Sequence, residues 1–462
     1  MALKKKVMVI GLDCAAPQLV FDEYADQLPN FKKIMNEGVY ARMKSSIPPI
    51  TCPAWMCMVT SKNPGKLGIF GFRNRSEYSY QDFWIANSTV IHEPTVWDFI
   101  NREGYLANII GVPQTYPPKP MNGLLVTGFL APDTDSDYTF PGFIKDEIKA
   151  AVGDYTIDVK KFRREDKDSL LQEIRDMAKQ RFDLAEAFLE KPWHFFMFIE
   201  MGLDRLHHGF WKYMDKTHRK YEPGNKYENA IPDYYKYLDK RIGELMAKLD
   251  DDTVVIVVSD HGAKKMEGAI NVNDWLIQEG YMKLKTVPKE VTKFDKVEVD
   301  WDNTTAWGLG GYYCRLFLNV KGREKNGIVD PGKYEEVRDE IAEKLRAITD
   351  ENGKNIGTRV LKPQEVYNGP HIDQAPDLIV YFGDLYWRST GSVGHDSIHS
   401  FETEVGPDDA VHAEHGIFML YDPKVKRGKK IDEVSIYDIA PTILNEMGLE
   451  IPPEMEGKPV TY

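Results

Sequence analysis

Val254-Val255-Ile256-Val257-Val258-Ser259-Asp260-His261-Gly262 joins an unbroken β-branched run to a polar turn. A run apolar at every position reads as a strand buried on both faces, the mark of a parallel sheet covered by helices. Two other runs end in the same way. Val7–Leu12 stops at Asp13, and Phe195–Ile199 leads into Asp204-Arg205-Leu206-His207-His208. Leu106–Ile110 and Leu124–Thr127 read as further parallel strands, with Leu378–Tyr381 and Ile417–Leu420 later in the chain. Helical patterns alternate with them: Pro29–Asn36, Pro94–Asn101, Ser169–Leu189, Tyr234–Leu249 and Ile436–Met447, the last closed by Gly448. This alternation predicts an α/β fold with a mostly parallel central sheet flanked by helices.

Residues 287–357 break the alternation. They hold a charged stretch, a Gly-rich turn (Gly308, Gly310, Gly311), a strand at Arg315–Val320 and an amphipathic helix at Tyr334–Ile348. The expected organisation is a catalytic core of residues 1–280 and 375–462, carrying a helical insertion at about 132–190, and an inserted α+β cap of residues 281–374.

The chain has 462 residues, with 59 Lys and Arg against 72 Asp and Glu, a formal charge of −13. Its 42% hydrophobic and 28% charged content excludes disordered, collagen-like and coiled-coil proteins. The acidic balance argues against a nucleic-acid sheath, which grips phosphates with Lys and Arg. It leaves small anionic substrates open, because bound cations reverse the sign inside one cleft. Cys14, Cys52, Cys57 and Cys314 form no C-x-x-C pair and are too sparse for a disulfide scaffold, so reduced thiols in a cytoplasm are expected. The basic start is followed by too short an apolar run for a signal peptide, and no stretch approaches the ~18 apolar residues of a membrane span.

Ligands in open α/β sheets bind at the carboxyl ends of the strands. Asp13, Asp204 with His208, and Asp260 with His261 all fall there. Carboxylate oxygen and imidazole nitrogen together suit Zn²⁺ or a similar divalent ion. Asp204 and His208, four apart, share a helix face. Taken singly, a post-strand Asp is a helix cap, Asp-x-x-x-His a surface pair and Asp-His-Gly a turn. Together they point to one site. Pro48-Pro49-Ile50-Thr51-Cys52-Pro53-Ala54-Trp55 forces an extended approach and then starts a helix through about Val59. Thr51 at its N-terminus is either a plain cap or a nucleophile facing an incoming phosphate.

The order Asp13, Thr51-x-Pro53, Asp204-x-x-x-His208, Ser259-Asp260-His261-Gly262 and a late His resembles the alkaline phosphatase superfamily, and within it the type I phosphodiesterase/nucleotide pyrophosphatase family. Asn63-Pro64-Gly65-Lys66, Asn319-Val320-Lys321-Gly322-Arg323-Glu324 and Ala375-Pro376-Asp377-Leu378-Ile379 also look like segments of prokaryotic members. The resemblance implies an alkaline-phosphatase-like core and two divalent ions, zinc first, with Mn, Fe or Mg as alternatives. Asp13, Thr51, Asp260 and His261 would hold one ion. Asp204, His208 and a C-terminal His would hold the other. His412 is preferred there, His415 is the alternative, and His395 and His399 rank lower. His207 is read as packing.

The resemblance further implies in-line attack by Thr51 on a small phosphate ester or nucleotide, giving a phosphothreonine. Trp55, Phe72, Arg73 and Asn74 are the candidate substrate contacts, since Leu67 stands where many relatives carry a phosphate-holding His. Tyr312, Tyr313 and Trp307 of the cap are candidates to close over a leaving group. Sulfatase relatives use C-x-P-x-R; Thr51 and Trp55 in that register exclude a formylglycine enzyme. A metal-dependent phosphomutase, a phosphonate or lipid-headgroup hydrolase, and a non-catalytic binding protein are the alternatives. No motif specifies an oligomeric state.

Overall fold

Every residue of the strands Thr253–Val258 and Phe195–Glu200 is buried, as their unbroken apolar runs require. They flank the Lys6–Leu12 strand, and both pair with it in parallel, Val9 opposite Met197 on one side and Ile256 on the other. The computed structural model describes residues 3–403 and 405–462. Ala107–Ile110 and Gly123–Val126 continue the parallel sheet beyond Phe195–Glu200. On the opposite side His415–Tyr421 and Val39–Lys44 complete the central part of a ten-stranded sheet. Helices cover it, among them Pro29–Glu37, Lys167–Leu189, Gly202–Met214, Ala230–Met246 and Ile439–Met447. The fold is thus the expected mixed α/β architecture with a large, mostly parallel sheet.

Two strands run against expectation. Ile417–Leu420 lies within His415–Tyr421, which is antiparallel to both of its neighbours. Leu378–Tyr381 leaves the central sheet for a four-stranded antiparallel one with Ala306–Leu309, Cys314–Leu318 and Arg359–Leu361. An apolar run specifies burial of both faces, not strand direction. Leu378 and Val380 face the core containing Ile341 and Leu345 of the Tyr334–Arg346 helix. Ile379 and Tyr381 face a separate cluster with Ile50, Phe70 and Tyr313. The strand is apolar throughout because it is a seam between the residues expected as a cap and the segment that leads into Thr51.

Two short elements position the site. Gly262–Lys265 pairs antiparallel with Ala410–Ala413, which puts Ala263 opposite His412. The helix Thr51–Thr60 begins directly after the Pro48-Pro49 approach and is buried along its whole length. Among the described residues no helix is long and apolar enough to cross a membrane.

Candidate metal centre

Because Lys6–Leu12 lies between Phe195–Glu200 and Thr253–Val258 and all three are parallel, their carboxyl ends open on one side. The side chains found there form two buried clusters, Asp13 with Asp260 and His261, and Asp204 with His208 and His412. His261 Nε2 lies 3.3 Å from Asp260 Oδ2 and 3.8 Å from Asp13 Oδ1. In the second cluster His208 Nε2 is 3.3 Å and His412 Nε2 3.6 Å from Asp204 Oδ1, and the two nitrogens are 3.2 Å apart. A tetrahedral ion with bonds of about 2.0–2.1 Å sets its ligand atoms roughly 3.3 Å apart.

Each carboxylate spends one oxygen on the protein and keeps the other. Asp13 Oδ2 accepts from Trp55 Nε1 at 2.6 Å, Asp204 Oδ2 from Arg205 Nη1 at 2.6 Å, and Asp260 Oδ1 from the Cys14 amide at 3.2 Å. Among the described residues Asp13 Oδ1, Asp204 Oδ1 and Asp260 Oδ2 have no hydrogen-bond partner, and neither does His261 Nε2. The histidines follow the same rule. His208 Nδ1 donates to Asp408 Oδ1 at 2.8 Å, His412 Nδ1 to the Pro49 carbonyl at 2.8 Å, and His261 Nδ1 to the Gly262 carbonyl at 3.1 Å. With Nδ1 carrying the proton, each neutral ring aims the lone pair of Nε2 into its cluster. Buried orphan oxygens and facing lone pairs are costly unless a cation lies among them. The donor set therefore fits two divalent ions.

The electrostatics agree. Burial, then the nearby Asp204, pushes the Asp13 carboxyl well above its ordinary range. Burial and the facing Asp13 do the same to Asp260. Burial opposes ionisation of Asp204, but His208 and Arg205 overcome it and hold its carboxyl well below the usual range. Burial also works against a charged His208, yet Asp408 and Asp204 push its imidazole up to about 9. A metal-free site thus takes up a proton where the ion would sit.

The local sequence explains the placement. Cys14 takes a left-handed backbone (φ 70°), a strain on the order of 1–2 kcal/mol, and its amide bonds Asp260. Gly11 leaves room for an indole: a Cβ there would sit 2.5 Å from Trp55 Cη2. Trp55, fully buried, then reaches up to Asp13 and acts as a support for a ligand, not as a wall of a substrate slot. Asn74 is likewise occupied, accepting from the Phe70 amide and donating to the Gly71 carbonyl. Arg73 is exposed, while Phe72 is half-buried and packs edge-on against Phe129. Of the aromatics at 307–313, Tyr312 stacks on the His412 and His208 rings at 4.3 and 4.7 Å. Tyr313 donates to the Phe70 carbonyl, and Trp307 is packed among Tyr80, Trp301 and Phe317.

The hairpin register separates His412 from His415. His412 is buried against His261, ring centroids 3.8 Å apart. His415 sits three residues on in the central sheet, partly exposed and paired with Glu433 at 2.5 Å. His395 and His399 bind Ser392 and the Thr349 carbonyl, away from both clusters. His207 packs against Trp211 and Tyr235. We expect metal analysis to find one ion of two lost from H412A and none from H415A.

Thr51 opens its helix two residues after Pro49, whose carbonyl holds His412, and one turn before Trp55, which holds Asp13. The Thr51 hydroxyl and the Thr51 and Cys52 amides have no partner among the described residues. The next residue, Pro53, has no amide hydrogen.

One important residue escaped sequence reading. Asp408 is fully buried, orients His208 through Oδ1, and takes Arg163 Nε (2.7 Å) and the Tyr312 hydroxyl (2.9 Å) on Oδ2. A carboxylate behind a ligand histidine fixes its tautomer and raises its basicity. D408N is expected to weaken metal affinity about 10–100-fold in chelator competition. Unchanged affinity would remove Asp408 from the metal site.

This fold and this pair of candidate metal-binding clusters fit a metal-dependent phosphoric ester hydrolase. The chain belongs to the type I phosphodiesterase/nucleotide pyrophosphatase family, whose model matches residues 7–418. Human ectonucleotide pyrophosphatase/phosphodiesterase 5 shares the fold at 15% identity and a TM-score of 0.56, over 98% of this chain and 97% of its own. The murine protein of the same name, in an inactive threonine-to-alanine form with AMP, is also 15% identical at a TM-score of 0.56, over 97% and 96%. No curated sequence matches at a significant level.

Proposed function

We propose that this chain is a zinc-dependent phosphodiesterase and nucleotide pyrophosphatase that uses Thr51 as its nucleophile. The observation that carries the reading is the pair of buried ligand clusters, to which the Thr51 helix start is tied through the Pro49 carbonyl on His412 and through Trp55 on Asp13. Divalent ions held by the clusters supply Lewis-acid polarisation of the phosphate oxygens and lower the pKa of hydroxyl and water. Three carboxylate and imidazole ligands in each cluster suit zinc, with Mn, Fe and Mg as alternatives that metal analysis of the purified protein decides.

Thr51 Oγ1 forms a bond to phosphorus as the bond to the leaving oxygen breaks. The electron pair departs with that oxygen, and the hydroxyl proton is lost to solvent. Water then attacks the phosphothreonine, giving up a proton and restoring the Thr51 hydroxyl. The unpartnered amides of Thr51 and Cys52, at the positive end of a ten-residue helix, favour an oxygen of the phosphate. The murine relative's threonine-to-alanine form is inactive and holds AMP, which supports both the nucleophile and a nucleotide substrate. The four buried free thiols support a cytoplasmic setting.

The test uses p-nitrophenyl phosphate, bis-p-nitrophenyl phosphate and p-nitrophenyl thymidine monophosphate, with and without EDTA. The diesters should turn over faster, EDTA should abolish turnover, and zinc should restore it. Preference for the monoester over both diesters would sink the diesterase reading.

A further inference from the structure

Beside the His208 cluster lies a buried group of charges that does not balance. Arg388, on the Trp387–Thr390 strand, is 6% exposed, and among the described residues its Nε and Nη1 have no hydrogen-bond partner. Its nearest carboxylate is Asp408, with Nη1 3.6 Å from Oδ2. That oxygen already accepts from Arg163 Nε and the Tyr312 hydroxyl, while Oδ1 is taken by His208. Arg163 Nη2 also donates to the Tyr312 hydroxyl. Both guanidinium groups lie 5.7 Å from the Tyr312 ring centroid, and that ring stacks on His412 and His208.

Two guanidinium groups thus share one carboxylate. The next acidic group, Asp409, does not correct this, since Lys212 and Lys167 face it, and the Lys167 ammonium, over the Phe210 ring, has no hydrogen-bond partner of its own among the described residues. The metal clusters do not correct it either, since two divalent ions there outweigh Asp13, Asp204 and Asp260. Arginine stays charged at any working pH. A buried cation with free N–H groups and only a shared counter-charge is destabilising. Such a group is stable when an anion arrives to take those donors, and a guanidinium fits phosphate oxygens best.

The location says which part of a substrate this is. If Thr51 attacks from the side of Asp13, Asp260 and His261, an in-line displacement expels its leaving group on the side of Asp204, His208 and His412. Arg388 and Arg163 border that side through Tyr312. Resting on the nucleophile and metal reading above, we propose that Arg388, with Arg163, forms a subsite for a second phosphate carried on the leaving half of the substrate. The preferred substrate then releases a phosphate-bearing group such as diphosphate, not an uncharged alcohol or an aryl group.

The experiment compares two substrates that differ in the leaving half: ATP, which releases diphosphate, and p-nitrophenyl thymidine monophosphate, which releases nitrophenolate. The ratio of kcat/KM for ATP over the aryl ester should fall at least ten-fold in R388A and in R163A, with R388K in between. Calorimetry with inorganic diphosphate and the zinc-loaded protein should show the affinity of both alanine variants falling by a similar factor. R163A, whose side chain is more exposed, carries the test if R388A does not fold. A ratio and a diphosphate affinity within two-fold of the parent in a folded variant overturn the subsite. A parent protein that turns over neither substrate overturns the nucleophile reading instead, and diphosphate affinity then still decides the subsite.

Discussion

T51A should lower kcat for p-nitrophenyl thymidine monophosphate by at least about 10³-fold, roughly 4 kcal/mol of barrier, while retaining both metal ions. The size follows from what the variant removes. In the proposed mechanism the hydroxyl is the atom that attacks phosphorus, and the thiols beside the clusters cannot take its place as thiolates: Cys52 and Cys14 are buried and pushed up, first by desolvation and then by the neighbouring carboxylates. Water remains as a nucleophile, so turnover falls without reaching zero. Asp13, Asp260 and His261 still present three ligand atoms to one ion, and Asp204, His208 and His412 three to the other. Metal content therefore separates loss of the nucleophile from loss of the site. T51S, which keeps a hydroxyl, should recover part of the rate. Full activity in T51A with metals bound would remove Thr51 from the mechanism, whatever the fate of the clusters.

Legibility in the sequence followed distance along the chain. Asp13, Asp260 and His261 stand at the ends of apolar runs, and Asp204 and His208 one helical turn apart, so local pattern alone brings them to one sheet edge. His412 is harder, because only the pairing of Gly262–Lys265 with Ala410–Ala413 carries it to His261. Family resemblance favours it over His415, and nothing local in the sequence separates the two. Asp408 had no signal: its partner His208 is 200 residues away, and an Asp in a polar loop looks solvated. Trp55 looks in the sequence like any aromatic near a nucleophile, and its contact with Asp13 depends on the space that Gly11 leaves. Strand direction at Leu378–Tyr381 was illegible for a similar reason. Alternate residues face two different cores, and that pattern matches a strand buried inside a parallel sheet.

Removing the metals should abolish turnover and lower the melting temperature, with a loss that grows from pH 6.5 to pH 9. Two ions, each at a hundred times its Kd, add about 5 kcal/mol of stability. At the ~2 cal/mol/K per residue of unfolding entropy usual for globular proteins, that moves the midpoint of a 462-residue chain by about 5 °C. The pH dependence comes from the metal-free state. Burial resists a charged His208, but Asp408 and Asp204 raise its imidazole to about 9. The folded, metal-free protein therefore binds a proton that the unfolded chain has released above about 6.5. Stability from that proton is fully present below 6.5 and is lost as pH rises through 9. Asp13 and Asp260, raised by burial and by nearby carboxylates, act with the same sign, since deprotonating them in the fold leaves buried like charges. Asp204, held low by His208 and Arg205 against its burial, and His261 and His412, pushed down by burial, titrate in the fold below this window. In the loaded protein the ions replace those protons, so this source of pH dependence disappears. Differential scanning calorimetry of stripped and zinc-loaded protein at pH 6.5, 7.5 and 9 reads the effect directly. A gap in melting temperature that shrinks as pH rises would mean that His208 and the paired carboxylates are not where the ions bind.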